Sequence, residues 1–392
     1  MMARFHSMIA LTAAALLTPL ESVERPILIL DGTMIREIAC RESREIPWNC
    51  KVIDFGEDVL APGFIDIHIH GGAGHDVMAS DARALPAVES LIARHGVTGY
   101  FPTTVTAPLD DTLRALDRLA TAIETRDDSD AGARARPLGI HLEGPFISHA
   151  QRGVHPPAYL LEPTLAVFER FWQAARGQIR VMTIAPELPG ALEVIAAAAK
   201  RGVCVSLGHS DADSAATRAA IQAGAQHATH TFNAMRPLGH RDPGIVGTVL
   251  TDDRATADII ADGIHVDPAI VKLFLKSKGV DHSVLITDAT AATGMPDGRY
   301  RLGTLDVEVK DGRCLSEGRL AGSVLTLDRA MRNAMEFGQW SLPDAVRTVT
   351  INPARITKTV RAGCLQAGTR ADFVVLTRAG EVERTFIGGR GL

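Results

Sequence analysis

From about Leu60 onward the chain alternates short β-branched apolar runs with longer stretches in which apolar residues recur at i, i+3 and i+4. The runs cover residues 63–70, 97–104, 138–143, 179–186, 203–209, 227–233, 257–263 and 283–288. Amphipathic stretches at 81–95, 109–125, 165–176, 192–201, 214–223 and 268–278 separate most of them. An apolar strand followed by an amphipathic helix is the repeating unit of a parallel sheet covered by helices. Eight such runs predict an α/β fold, specifically a (β/α)8 TIM-type barrel. A doubly wound open sheet is the structural rival, and it expects a phosphate-cradling glycine turn after its first strand. The turn found there, His70-Gly-Gly-Ala-Gly-His75, is glycine-rich, but its flanking histidines suit a metal better than a pyrophosphate.

The two ends of the chain read differently. Residues 1–60 hold short apolar runs between turns, with no helical period longer than two turns, and residues 371–389 are again β-patterned. Together they predict a small β-sandwich formed by both termini, residues 1–60 and 360–392, around a barrel of residues 61–359. After the eighth run a hairpin-like insertion (RYRLGTLDVEVKDGRCL, 299–315) precedes a helix expected over 325–337. The apolar run at 8–20 resembles the core of a signal peptide, but it is too short to span a bilayer. A single firm positive charge precedes it, and a second apolar segment at 26–30 can pair with it through an intervening ESVER turn, so a strand is expected. A secreted form is the alternative to a cytoplasmic one.

Composition narrows the partners. Hydrophobic residues make up 46% of the 392, charged residues 22%, and the net charge is -5 with no basic block, which argues against nucleic acid and membrane surfaces. Aromatics at 5% are too few for a stacking platform. The five cysteines form no CxxC pair and read as reduced thiols in cytosol. The 14 histidines carry the chemistry.

In Ile67-His-Ile-His70 the alternation of a strand puts His68 and His70 on one face and Ile67 and Ile69 on the other. Such a pair can share a metal ion, or it can be a buried, hydrogen-bonded pair with no ion. Glu143 ends the third run, His209 the fifth and Asp288 the eighth, and His230 lies within the sixth. Taken singly, each has an ordinary structural reading as a helix cap or a satisfied core histidine. Taken together, five strands deliver metal-ligand side chains to one rim, the end of a barrel where catalytic groups gather. Four His with two carboxylates and no Cys suit Zn²⁺ or Fe²⁺ better than Ca²⁺ or Mg²⁺. The set is also rich enough for two ions roughly 3.5–4 Å apart, bridged by Glu143, with His68 and His70 on one and His209 and His230 on the other. An ion so held lowers the pKa of a water towards about 7 and polarises a carbonyl oxygen, and Asp288 is placed to move a proton to a departing amine. The chemistry implied is hydrolysis of an amide-like bond.

The motifs APGFIDIHIHGG (61–72), HLEGPF (141–146), LGHS (207–210), HTFNAM (230–235), ADGIHV (261–266), TDAT (287–290) and GTRADFVVL (368–376) resemble the amidohydrolase superfamily, and within it the N-acetylglucosamine-6-phosphate deacetylases. That resemblance implies metal on Glu143, His209 and His230, with His68 and His70 adding a second site in members that have the HxH pair. It implies Asp288 as the catalytic aspartate. Substrate contacts carry over onto Val154, Asn233, Ala234, Arg241, His265 and the segment Leu320, Ala321 and Gly322. A sugar phosphate is an anion, which gives Arg241 and His265 a reason to be there. The arginine matching Arg241 reaches the neighbouring subunit's site in the family, so a homodimer is expected. No Lys ends the fourth run, so the carbamylated-lysine bridge of dihydroorotase- and urease-like relatives is absent and Glu143 must take that place. The implied reaction is deacetylation of N-acetylglucosamine 6-phosphate. Rivals are the galactosamine epimer, an N-acyl amino acid, or a non-catalytic scaffold that would have lost these ligands.

Overall fold

The computed structural model describes residues 8–18, 21–126, 134–359 and 361–392. Near the N-terminus, Ile9–Thr12 lies between Pro26–Asp31, antiparallel, and Lys51–Asp54, parallel, with Met34–Cys40 on the outer side of Pro26–Asp31. Pro26–Asp31 is apolar almost throughout because both its faces are covered. Ile27 and Ile29 pack with Ala10 on one side, while Leu28 and Leu30 face the chain's C-terminal strands on the other. A second sheet runs Arg390–Gly391, Val382–Ile387, Phe373–Leu376, Val59–Pro62, Ala15–Leu17, Ser22–Glu24, so both termini contribute to it. Leu11, Leu28 and Leu30 from the first sheet share one core with Leu16, Leu60, Phe373 and Phe386 from the second. One local expectation fails: most of the ESVER segment is not a turn, because Ser22–Glu24 is a strand paired with Ala15–Leu17.

All eight apolar runs contain a strand: Phe64–Ile69, Val97–Thr104, Ile140–Glu143, Ile179–Ile184, Cys204–Leu207, His227–Ala228, Ala257–Ile260 and Ser283–Ile286. Parallel ladders join the first six in sequence order and join the seventh to the eighth. Backbone bonds from Ala228 N to Thr256 O (3.1 Å) and Thr231 N to Asp258 O (2.9 Å) connect the sixth to the seventh. The eighth meets the first through Asp288 N to His68 O (2.9 Å) and His70 N to Ala289 O (2.8 Å). The parallel sheet is therefore curled. Along the first strand, Ile65, Ile67 and Ile69 join the main apolar core, while the buried Asp66 and His68 alternate with them, as a period of two requires.

The amphipathic stretches form helices Ala84–Arg94, Leu109–Glu124, Leu165–Ala174, Ala191–Lys200, Ser214–Ala223, Pro268–His282 and Leu327–Gly338. A further helix, Gly244–Thr251, follows the sixth strand and shows no amphipathic period because it is apolar nearly all round, with six of eight residues buried. The insertion is a four-stranded antiparallel meander, Gly298–Leu302, Leu305–Lys310, Arg313–Ser316 and Arg319–Leu320, longer than the sequence suggested. Its Leu302, Val307, Val309 and Cys314 pack on Val105 and Ala292, which fixes it beside the rim of the sheet.

Candidate active site

Each ligand-type side chain sits at or just past the C-terminal end of its strand. His68 and His70 end the first, Glu143 is the last residue of the third, His209 follows the fifth and Asp288 follows the eighth. His230 corrects the sequence reading: the sixth strand stops at Ala228, so His230 lies in the turn beyond it. Three of these residues have left-handed backbones, His209 at φ 47°, His230 at φ 32° and Asp288 at φ 50°, a conformation that costs a side-chain-bearing residue about 1 kcal/mol or more. The turns swing the three side chains inward, and neighbours hold them. Asp258 accepts from the His230 backbone N–H and lies 2.9 Å from His227 Nε2. Ser323 N donates to Asp288 O (2.7 Å). At Gly322 (φ 60°) a Cβ would stand 2.8 Å from Asp288 O, so this approach requires glycine.

The side chains converge on Glu143. Its Oε1 lies 3.3 Å from His68 Nε2, 3.2 Å from His209 Nε2 and 3.1 Å from His230 Nε2, and its Oε2 lies 3.2 Å from His70 Nε2. Asp288 Oδ1 closes the other side, 3.1 Å from His70 Nε2 and 3.6 Å from His68 Nε2. Burial alone would push both carboxyls up. The surrounding imidazoles outweigh it, holding Asp288 at about 2 and Glu143 well below the usual carboxylate range. The same contacts act on the rings against burial: His70 is raised well above its ordinary value by Asp288 and Glu143, and His230 to about 9 by Glu143. For His209 burial prevails and the pKa falls.

The donor set fits a divalent cation. His70 Nδ1 donates to Thr103 O (3.0 Å) and His209 Nδ1 to Gln151 O (3.2 Å), and a carbonyl can only accept. In the neutral rings Nε2 is therefore a bare lone pair aimed at a carboxylate, an arrangement that needs positive charge between the two. His68, His70 and Asp288 lie close enough to hold one ion, and so do Glu143, His155 and His209.

His155 is the residue that sequence reasoning missed. It belongs to no strand end, and its signal was the loop of some twenty residues between the third strand and the helix at Leu165–Ala174, long enough to suggest function. Its Nε2 lies 3.7 Å from Glu143 Oε2, but its Nδ1 accepts from Thr106 N–H (3.3 Å), which leaves the proton on Nε2. Burial pushes its pKa down to about 3. His155 therefore presents a neutral N–H to the site, the wrong face for a metal and the right one for a carbonyl oxygen.

A cavity of about 290 Å³ opens over the cluster. Val154, Asn233, Ala234, His265, Leu320, Ala321 and Gly322 all line it, as do His70, Glu143, His209, His230 and Asp288. His68 is fully buried beneath it. Arg241 is not brought in: it is exposed and does not line the cavity. Gln151 and Arg319 line it without having been expected.

Residues 59–392 match the model of the amidohydrolase family. The chain is 39% identical over 333 residues to the N-acetylglucosamine-6-phosphate deacetylase of Lysinibacillus sphaericus, covering 84% of each. It is 39% identical over 346 residues to the N-acetylgalactosamine-6-phosphate deacetylase of Escherichia coli O157:H7, covering 88% of this chain and 90% of that one. Among solved structures, a mutant N-acetyl-D-glucosamine-6-phosphate deacetylase from Mycobacterium smegmatis, in complex with N-acetyl-D-glucosamine-6-phosphate, superposes with a TM-score of 0.91 at 36% identity, covering 98% of this chain and 99% of that one.

Proposed function

The chain belongs to the amidohydrolase family, and from that premise we propose that it is a metal-dependent deacetylase that hydrolyses N-acetyl-D-glucosamine 6-phosphate to D-glucosamine 6-phosphate and acetate. The observation that carries this is the convergence of four imidazoles on Glu143, every N···O separation between 3.1 and 3.3 Å, with Asp288 against His68 and His70 on the other side. In this reading the curled sheet is a (β/α)8 barrel of residues 61–359, and residues 1–60 and 360–392 form a β-sandwich domain.

Glu143, His209 and His230 would hold one divalent ion, Zn or Fe, and His68 and His70 would provide for a second. Bound there, such an ion would supply Lewis acidity, lowering the pKa of a water and polarising the acetamide carbonyl. Asp288, an ionised carboxylate at the edge of the cluster, takes the water's proton and returns it to the nitrogen as the C–N bond breaks and a C–O bond replaces it. His155 donates its Nε2–H to the carbonyl oxygen as charge gathers there. Val154, Asn233, Ala234, His265 and the segment Leu320, Ala321 and Gly322 seat the sugar. Arg241 serves the neighbouring site of a homodimer. Among the described residues no helix is long and apolar enough to cross a membrane. The five cysteines, all free, support a cytoplasmic placement.

Acetate release from a panel of phosphorylated and free N-acetyl sugars, with metal analysis of the same preparation, tests the proposal. Turnover of N-acetylglucosamine 6-phosphate by metal-loaded protein is expected. Metal-loaded protein that releases no acetate from it overturns the reading. The relative that acts on the galactosamine epimer favours a second reading, in which that 6-phosphate is the better substrate, and the same panel decides between them.

A further inference from the structure

The fourth strand, Ile179–Ile184, brings no ligand-type side chain to the cluster around Glu143. Glu187, the first carboxylate after it, does not line the cavity. It has neither of a loop carboxylate's ordinary uses. Among the described residues it makes no ion pair, in contrast to Asp211, which faces Arg236. The next helix, Ala191–Lys200, starts after Gly190 and has no side-chain cap. Both carboxyl oxygens go instead to the turn beyond the fifth strand: Ser210 Oγ donates to Oε2 (2.6 Å) and the Asp211 backbone N–H to Oε1 (2.6 Å).

That turn aims His209, whose left-handed backbone at φ 47° persists only where the surroundings hold it. Two routes lead from Glu187 to this one ring. Along the chain, the Ser210 hydroxyl that donates to Glu187 accepts from Ala212 N–H (3.0 Å). Ser210 N donates to Ala234 O (3.1 Å) and Ser210 O accepts from Arg236 N–H (3.1 Å), which ties the turn to the segment after His230. Through space, the Asp211 side chain accepts from Gln151 Nε2 (3.4 Å), and Gln151 O accepts from His209 Nδ1 (3.2 Å). The first route sets where the imidazole stands. The second sets its rotation and tautomer, leaving Nε2 toward Glu143 at 3.2 Å.

We propose that Glu187 is a positioning residue of the metal site: by holding residues 210 and 211 it fixes the strained turn that aims His209 at Glu143. The inference rests on the metal site of the proposed function and not on the identity of the sugar. Glu187→Ala removes both acceptors, whereas Glu187→Gln keeps the size and one acceptor oxygen, so the two variants should be graded.

The test titrates zinc into metal-free wild type, Glu187→Gln and Glu187→Ala against a competing chelator, then follows acetate release from N-acetylglucosamine 6-phosphate at low and saturating zinc. Zinc affinity should fall about 10- to 100-fold in Glu187→Ala, the range for losing a partner that orients a metal-binding histidine, and less in Glu187→Gln. KM should stay within about twofold, because no cavity contact is removed, while kcat falls and recovers in part as zinc is raised. A merely structural Glu187 would lower the thermal midpoint of the metal-free protein and leave the zinc affinity of the folded fraction unchanged, and that result overturns the inference. Should Glu187→Ala not fold, Glu187→Gln decides, and wild-type zinc affinity in that variant overturns the inference too. Graded zinc affinities in a protein that releases no acetate remove the deacetylase reading and leave this inference standing. Wild-type protein that binds no zinc removes both.

Discussion

The rim of the curled sheet and the terminal β unit use burial for opposite ends. In the terminal unit nearly everything buried is apolar, and its centre is an aromatic stack, Phe373 on Phe386 at 4.4 Å with Phe55 edge-on to Phe386 at 6.0 Å. At the rim the buried groups are Glu143, Asp288 and the histidines around them, and three of those residues also carry left-handed backbones. Apolar burial stabilises. Burying charge and bending the chain cost stability unless something compensates. Below the rim the compensation is a polar network: His141 bridges Ile67 O (2.9 Å) and Thr183 Oγ1 (2.8 Å), and the hydroxyls of Thr183, Thr229 and Ser206 continue it. The difference teaches that the two regions should respond to mutation through different observables.

The largest effect is expected at the rim. Asp288→Asn should lower kcat by about 10²- to 10⁴-fold, the usual range for a general acid–base group, while the thermal midpoint and the ion expected on Glu143, His209 and His230 stay near wild type. Near-normal turnover in that protein would remove Asp288 from its proposed role. In the terminal unit the pattern inverts. Phe373→Ala should cost about 3–5 kcal/mol in denaturant unfolding with kcat of the folded fraction unchanged, and a large drop in kcat would show that the two regions are coupled.

The smallest effect lies between them, at Asp66 inside the curled sheet. Burial raises its carboxyl to about 6 from the ordinary 3.8, opposed by Thr287 Oγ1, which donates to Asp66 Oδ2 (2.6 Å). The folded state then holds a proton that the unfolded state has released, so stability should fall as pH rises from about 4 to 6, by up to about 3 kcal/mol. Unfolding of Asp66→Asn across that window should lack this slope. An equal slope in both proteins would show that Asp66 is not its source.

Much of this was legible in the chain. The eight strands were visible because each is a continuous apolar run, and the HxH pair because a strand's period of two is written directly into Ile67-His-Ile-His70. Gly244–Thr251 was not, since a helix buried on most sides has no polar face to reveal its period. His155 was not, because a loop has no period at all. The motifs named Arg241 as a phosphate group, and within this chain the fold leaves it outside the cavity while bringing Arg319 into it.

What the sequence determined by itself is the order of elements and the chemical kind of each ligand, because both follow from local pattern and residue type. Only the tertiary structure decided that all four imidazoles come within 3.1–3.3 Å of Glu143, that His155 turns its protonated nitrogen inward, and that Arg241 lies outside this chain's cavity. Those are relations between residues far apart in the chain, 87 positions for His230 and Glu143, and they follow from how the sheet curls and where its strands stop.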